Sequence, residues 1–172
     1  MREGYIHVYT GCGKGKTTAA LGLALRAAGA GLRVYIAQFI KQKKCSEHRM
    51  IDKFGDLVTI KRYGRGFILN RKATNADLKA AQAGLKELKE IIRSKKFDVV
   101  VLDEANIATH YGLLAVEDLL DIMATKPKGT ELVITGRHAD SRVIQNADLV
   151  TEMKEIKHYR KKGVKARTGI EY

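Results

Sequence analysis

The stretch Gly11-Cys12-Gly13-Lys14-Gly15-Lys16-Thr17-Thr18 decides how this chain is read. It follows an apolar, strand-like run at 5–9 and leads into the helix-like run that begins Ala19-Ala20-Leu21. Glycine-rich backbone at such a junction can turn its N–H groups inward around phosphate oxygens, and the positive end of the helix dipole adds to the pull. Lys16 is placed to meet phosphate as a point charge, and the Thr17 hydroxyl to ligate magnesium. A glycine turn that only joined strand to helix would need neither two lysines nor a threonine here. The stretch reads as a nucleoside triphosphate site formed by residues 11–18.

The spacing departs from the usual loop. In G-x-x-x-x-G-K-[ST], the first glycine would fall at Thr10, and Gly11 stands one residue too close. Lys14 is an additional cation within the loop. A shortened, more basic loop need not hold triphosphate in the customary direction.

Outward from the loop, strand-length apolar runs alternate with helix-period segments. Strands are expected at 5–10, 33–39, 57–63, 98–103, 131–135 and 149–153, and helices at 17–28, 74–94, 116–124 and 140–145. The clearest helix carries Leu78, Ala81, Leu85, Leu88 and Ile92 on one stripe, with Thr74 as N-cap and Asp77 three residues on. The run Val99-Val100-Val101-Leu102 is apolar throughout, as a strand covered on both faces requires. This β-α-β alternation predicts an α/β fold with a doubly wound, mostly parallel sheet. The expected class is the RecA-like, P-loop NTPase three-layer sandwich, in one domain over 1–172. Segments 41–54 and 64–73 lack a clear period and follow strands on the ligand-binding edge.

The buried strand ends in Asp103-Glu104, two acids positioned to hold magnesium directly or through water. Val133-Ile134-Thr135-Gly136-Arg137 ends a further strand in a guanidinium suited to phosphate.

Composition narrows the class. At 172 residues the chain can bury a core of its own. No apolar run is long enough for a membrane span, and the chain passes from Met1 into the first strand without a leader-like segment. Cys12 and Cys45 form no C-x-x-C pair, and the five histidines show no metal-ligand spacing, so a reducing cytoplasm is expected. A formal charge of +13 calls for an anionic partner. With no tryptophan and no nucleic-acid-binding motif, the triphosphate accounts for part of that excess and solvated surface for most of the rest. The basic run 154–167 continues into an ordered-looking end, Gly169-Ile170-Glu171-Tyr172.

These motifs together resemble the phosphate-loop ATP:corrinoid adenosyltransferases, the cobalamin or cob(I)yrinic acid a,c-diamide adenosyltransferases. The likeness runs from Thr10–Ala20 through Gln38-Phe39-Ile40-Lys41, Val101–Glu104 and Ile134–Arg137. It continues through 147–153, Lys157-His158 and 163–166 to 169–172. The resemblance implies attack by a reduced Co(I) corrinoid on C5′ of ATP, in adenosylcobalamin biosynthesis or salvage, with inorganic triphosphate expelled. It implies ATP bound in reverse across the loop, with Gly11, Cys12, Gly13, Lys14, Gly15, Lys16, Thr17 and Thr18 around it and Lys41 and Arg137 nearby. Lys14, Lys16 and Glu104 would be the catalytic residues. Thr17, Asp103 and Glu104 would hold Mg2+, or Mn2+ in its place, and Arg26 would lie near the nucleoside. It also implies a homodimer and an electron donor that reduces the corrinoid, with neither nucleic acid nor membrane as partner. Some bacterial members of that family place a phenylalanine and a tryptophan against the corrinoid. This chain keeps Phe67 but has Leu69 in the tryptophan's place, and it is expected to lack their N-terminal extension. The competing reading is a P-loop ATPase or kinase, linked to nucleic acid through its charge; a regulatory module that binds ATP without chemistry is a third.

Overall fold

The computed structural model describes residues 3–41, 45–51, 53, 55–66 and 73–172. Among these described residues, six strands form one sheet: β1 (Ile6–Thr10), β2 (Val34–Gln38), β3 (Val58–Arg62), β4 (Val99–Asp103), β5 (Glu131–Thr135) and β6 (Leu149–Glu152). Their order is β3-β2-β4-β5-β1-β6, and every pair is parallel. The helices are α1 (Lys16–Gly29), α2 (Ser46–Ile51), α3 (Asn75–Arg93), α4 (Ala105–His110), α5 (Val116–Thr125) and α6 (Ser141–Gln145), with 3-10 turns at Gly55–Leu57 and Tyr159–Lys162.

Period-two alternation in the central strands builds two cores. Val99 and Val101 of β4 pack with Ala20, Ala24, Ala27 and Ala28 of α1 on one face of the sheet. Val100 and Leu102 point to the other face, against Ala81, Leu85 and Leu88 of α3 and Leu119 and Ile122 of α5. A continuously apolar strand is therefore apolar for two different neighbours. The alanine stripe on α1 has a consequence for the site, because small side chains let that helix lie close to the sheet. Its N-terminus is thereby held at the ends of the strands.

The Thr74 capping box is formed. The Asp77 N–H donates to Thr74 Oγ1 at 3.3 Å, and the Thr74 N–H donates to Asp77 Oδ2 at 2.8 Å. Two short helices were not expected. α2 falls within the aperiodic segment 41–54, and α4 follows directly on the acid pair. Each has six residues, under two turns, so no hydrophobic period can show.

Gly84 offers a test of the packing. A Cβ at this position of α3 would lie 2.4 Å from Tyr63 Cγ. Tyr63 cannot easily give way, because it is buried and its hydroxyl is hydrogen-bonded to that of Tyr35 at 2.6 Å. Alanine gains about 1 kcal/mol of helix propensity, but overpacking costs about 1–3 kcal/mol. Gly84→Ala should therefore lower the thermal midpoint by several degrees; a midpoint at or above wild type would contradict this packing.

Candidate active site

The loop between β1 and α1 is glycine-rich for two physical reasons. Gly11 and Gly15 adopt φ of 92° and 119°, which side chains disfavour. A Cβ on Gly11 or Gly13 would also come within 2.5 or 2.7 Å of the Met153 carbonyl oxygen. That carbonyl accepts the Gly13 N–H at 2.6 Å, so the backbone just past β6 is the loop's outer wall. Among the described residues, no side chain caps the N-terminus of α1, and no acid lies in its first turn, which leaves that end suited to an anion. Lys16 folds over the loop and donates to Gly11 O at 2.7 Å and to Gly13 O at 2.6 Å. Burial, and secondarily Arg137, lowers its pKa, so an incoming anion would relieve an ammonium that is costly to keep charged.

Asp103 organises the floor. It is almost fully buried, and its carboxylate accepts from Thr17 Oγ1 at 2.8 Å, Thr135 Oγ1 at 2.8 Å and Gln38 Nε2 at 2.9 Å. The Lys41 ammonium lies 3.8 Å away. Strand order explains this convergence, because β4 is flanked by β2 and β5 and its end faces α1. Thr135 also accepts the Glu104 N–H at 3.0 Å, which holds the turn where Glu104 takes φ 60°. That angle is uncommon for a non-glycine residue. Burial, then the neighbouring Asp103, raises the Glu104 pKa; Lys16, Lys41 and Arg137 oppose the rise.

Above this floor lies a cavity of about 550 Å³. Residues 13–18 of the loop and α1 line it, together with Lys41, Glu104 and Arg137 and residues 169–172. The volume falls in the usual range for small-molecule sites.

A family model described as ATP:corrinoid adenosyltransferase BtuR/CobO/CobP matches residues 2–172. The chain belongs to this family. It is 38% identical over 173 residues to a corrinoid adenosyltransferase of Sinorhizobium sp., covering 99% of this chain and 81% of that protein. It is 35% identical to a corrinoid adenosyltransferase of Pseudomonas aeruginosa, covering 99% and 84%. Against the corrinoid adenosyltransferase CobA of Salmonella typhimurium the figures are 36%, 99% and 86%. Among solved structures, the KaiC-like protein PH0186 of Pyrococcus horikoshii is similar at a TM-score of 0.58 and 18% identity, covering 87% of this chain and 73% of that one. This last likeness concerns the fold alone and agrees with a RecA-like α/β architecture. The activity of the chain is that of an ATP:corrinoid adenosyltransferase. Among the described residues, no helix is long and apolar enough to cross a membrane.

Within this adenosyltransferase, the sequence-predicted residues fall into distinct places. Gly13, Lys14, Gly15, Lys16, Thr17, Thr18, Lys41, Glu104 and Arg137 line the cavity. Asp103 lies beneath it as the partner of Thr17. Gly11 shapes the loop and supports Lys16, while Cys12 is exposed and does not line the cavity. Arg26 is exposed in the last turn of α1 and is not among the residues that line this cavity. Helical rise over the ten residues from Lys16 carries it roughly 15 Å along the axis, away from the loop. Phe67 and Leu69 lie outside the described residues. Lys14 does not point at an open loop; Glu171, Tyr159 and the Ile170 carbonyl hold its ammonium.

Gln38, Thr135, Glu47 and Glu171 had no assigned role in the sequence. The first two were visible as polar residues ending apolar strands. Glu47 forms a 2.7 Å ion pair with Lys41 and, with Cys45 and His48, brings three metal-ligand types within 4.8 Å, a proximity that histidine spacing did not show. His48 Nδ1 accepts the Cys45 N–H at 3.0 Å within this trio.

Proposed function

We propose that the chain transfers the 5′-deoxyadenosyl group of ATP to the cobalt of a reduced Co(I) corrinoid and releases triphosphate. The observation that carries this reading is the Asp103 knot. It fixes Thr17 beside Lys16 at the edge of a cavity that also receives Glu104 and Arg137. In the reaction a cobalt–carbon bond forms at C5′ as the C5′–oxygen bond breaks. The electron pair leaves with triphosphate, and cobalt passes from Co(I) to Co(III). Because the substrate cobalt is itself the nucleophile, no protein group has to remove a proton. The work left to the protein is holding ATP with C5′ exposed and neutralising the leaving group.

Lys16, Arg137 and the N-terminus of α1 bind the triphosphate, which lies in the reverse direction across the loop. Lys14 joins them once it is released from its present partners. Thr17 and Glu104 form an oxygen donor set that suits Mg2+ or Mn2+, with Asp103 orienting Thr17 from behind. The ion, when bound, supplies charge that stabilises the departing triphosphate. The protein acts as a homodimer in the cytoplasm, with an electron donor supplying Co(I) for biosynthesis or salvage of adenosylated corrinoids. Part of its positive charge serves the anionic substrate, and nucleic acid is not a partner.

The reading is tested by following the corrinoid spectrum under reducing conditions. Formation of the light-sensitive cobalt–carbon bond should require both this protein and MgATP; an unchanged spectrum would reject the activity. Glu104→Gln probes the metal set. Because burial raises the Glu104 pKa, its charged form costs folding stability as pH rises through that pKa, and the neutral glutamine avoids the cost. The variant should keep or slightly gain thermal stability at neutral pH while losing about ten-fold in magnesium-dependent nucleotide affinity. In wild type that affinity should fall as the pH drops toward the raised pKa. Wild-type affinity throughout a magnesium titration would remove Glu104 from the set.

A further inference from the structure

Lys14 is the cation that distinguishes this loop, yet its ammonium is fully engaged. An ammonium has three N–H donors. Those of Lys14 meet Tyr159 Oη at 3.0 Å, the Ile170 carbonyl at 3.0 Å and Glu171 Oε1 at 2.7 Å. Glu171 has further partners. Tyr159 donates to Oε1, and the Arg167 N–H donates to Oε2 at 2.7 Å. Lys14 above all, followed by Tyr159 and Arg167, holds this carboxyl well below the usual glutamate range. It is an anion at any working pH. The segment that carries it forms a compact turn, with the Glu171 N–H bonded to Arg167 O at 3.0 Å. Beyond the turn, Tyr172 O accepts from Ser46 Oγ at 3.0 Å. Residues 169–172 thus cross the cavity from the phosphate loop to α2.

What holds this segment is polar. Ile170 and Tyr172 are 55% and 49% exposed, so little apolar burial secures it. A contact made from exposed charge pairs can be exchanged for another set of charges without disturbing a core. The obvious rival for Lys14 is a polyphosphate in the same loop, since the carboxylate and a phosphate oxygen offer the ammonium the same kind of partner.

We propose that Glu171 is an internal competitor of triphosphate for Lys14. Binding of the nucleotide moves the ammonium from the carboxylate to a phosphate oxygen, and the return of Glu171 after adenosyl transfer helps to release the triphosphate product. The proposal rests on the reading of the loop as a polyphosphate site. It assigns Glu171 a positioning role in turnover, exerted through Lys14.

The experiment titrates inorganic tripolyphosphate with magnesium into wild type, Glu171→Gln, Lys14→Met and the double variant by calorimetry, alongside product inhibition of adenosylation. Removing the competitor should tighten tripolyphosphate binding about three- to five-fold in Glu171→Gln, the range set by an exposed ion pair. Product inhibition should then appear at correspondingly lower triphosphate concentration. Lys14→Met should weaken binding, and adding Glu171→Gln to it should change nothing further. Damage to the fold would weaken binding and so cannot imitate the gain. In wild type, tripolyphosphate should also speed hydrogen exchange at the Arg167 N–H, whose acceptor is Glu171. Unchanged or weaker binding in Glu171→Gln, or unchanged exchange at Arg167, overturns the proposal alone. Failure of wild type to bind tripolyphosphate overturns the polyphosphate reading of the loop along with it.

Discussion

Lys16→Ala should lower adenosylation by roughly 30- to 1,000-fold, the equivalent of about 2–4 kcal/mol of lost transition-state stabilisation. The lysine is buried at the base of the loop, and among the described residues its ammonium donates to loop carbonyls alone. Those carbonyls hold it in place but do not neutralise it. The full charge is therefore available to a leaving group that carries several negative charges into a partly desolvated site. Truncation removes this charge while leaving Gly11 and Gly13 still shaped by their contacts with the Met153 carbonyl. The fold should survive, so the loss should appear in kcat at saturating MgATP with a nearly unchanged thermal midpoint. Near-normal turnover would mean that the loop does not hold the leaving group.

Asp103→Ala should be the most damaging change to the site as a structure. The carboxylate is 1% exposed and receives three donors from α1, β2 and β5, with the Lys41 ammonium a little further off. Alanine strands those donors in a buried setting, at a cost of about 3–5 kcal/mol. A fall of many degrees in the thermal midpoint is expected, with loss of activity even where the variant remains folded, because Thr17 is no longer held. Asp103→Asn separates the two effects. Gln38 Oε1 is buried and has no hydrogen-bond partner among the described residues. Turning the Gln38 amide would let that oxygen accept from the new Asn amide, while the Asn oxygen continues to serve Thr17 and Thr135. Asp103→Asn should thus recover much of the stability but little of the activity, since the negative charge is gone. Equal stability in the Ala and Asn variants would contradict this account of the knot.

The parts legible in the sequence were those carried by local pattern. The apolar runs marked all six strands to within a residue or two at either end, and the Thr74 capping box marked the start of α3. The glycines and lysines of residues 11–18 marked the glycine-rich loop between β1 and α1. What could not be read is what the sheet brings together. Asp103 gathers side chains from β2, β5 and α1 only because β5 is inserted between β1 and β4, an order no local pattern encodes. Lys14 and Glu171 lie 157 positions apart, and a basic run followed by a single acid reads as solvated surface until the fold closes it. The motif match implied a place for Arg26 near the nucleoside, and local pattern could not show that it stands in the last turn of α1, away from the loop.

The identity of the phosphate product tests the central claim most directly. MgATP and a chemically reduced corrinoid are incubated with the protein, and the products are resolved by phosphorus NMR and chromatography. Cleavage at C5′ predicts inorganic triphosphate in equal amount to the adenosylated corrinoid, with no product when the corrinoid is left out. ADP and orthophosphate, formed whether or not the corrinoid is present, would place the cleavage at phosphorus and contradict the account.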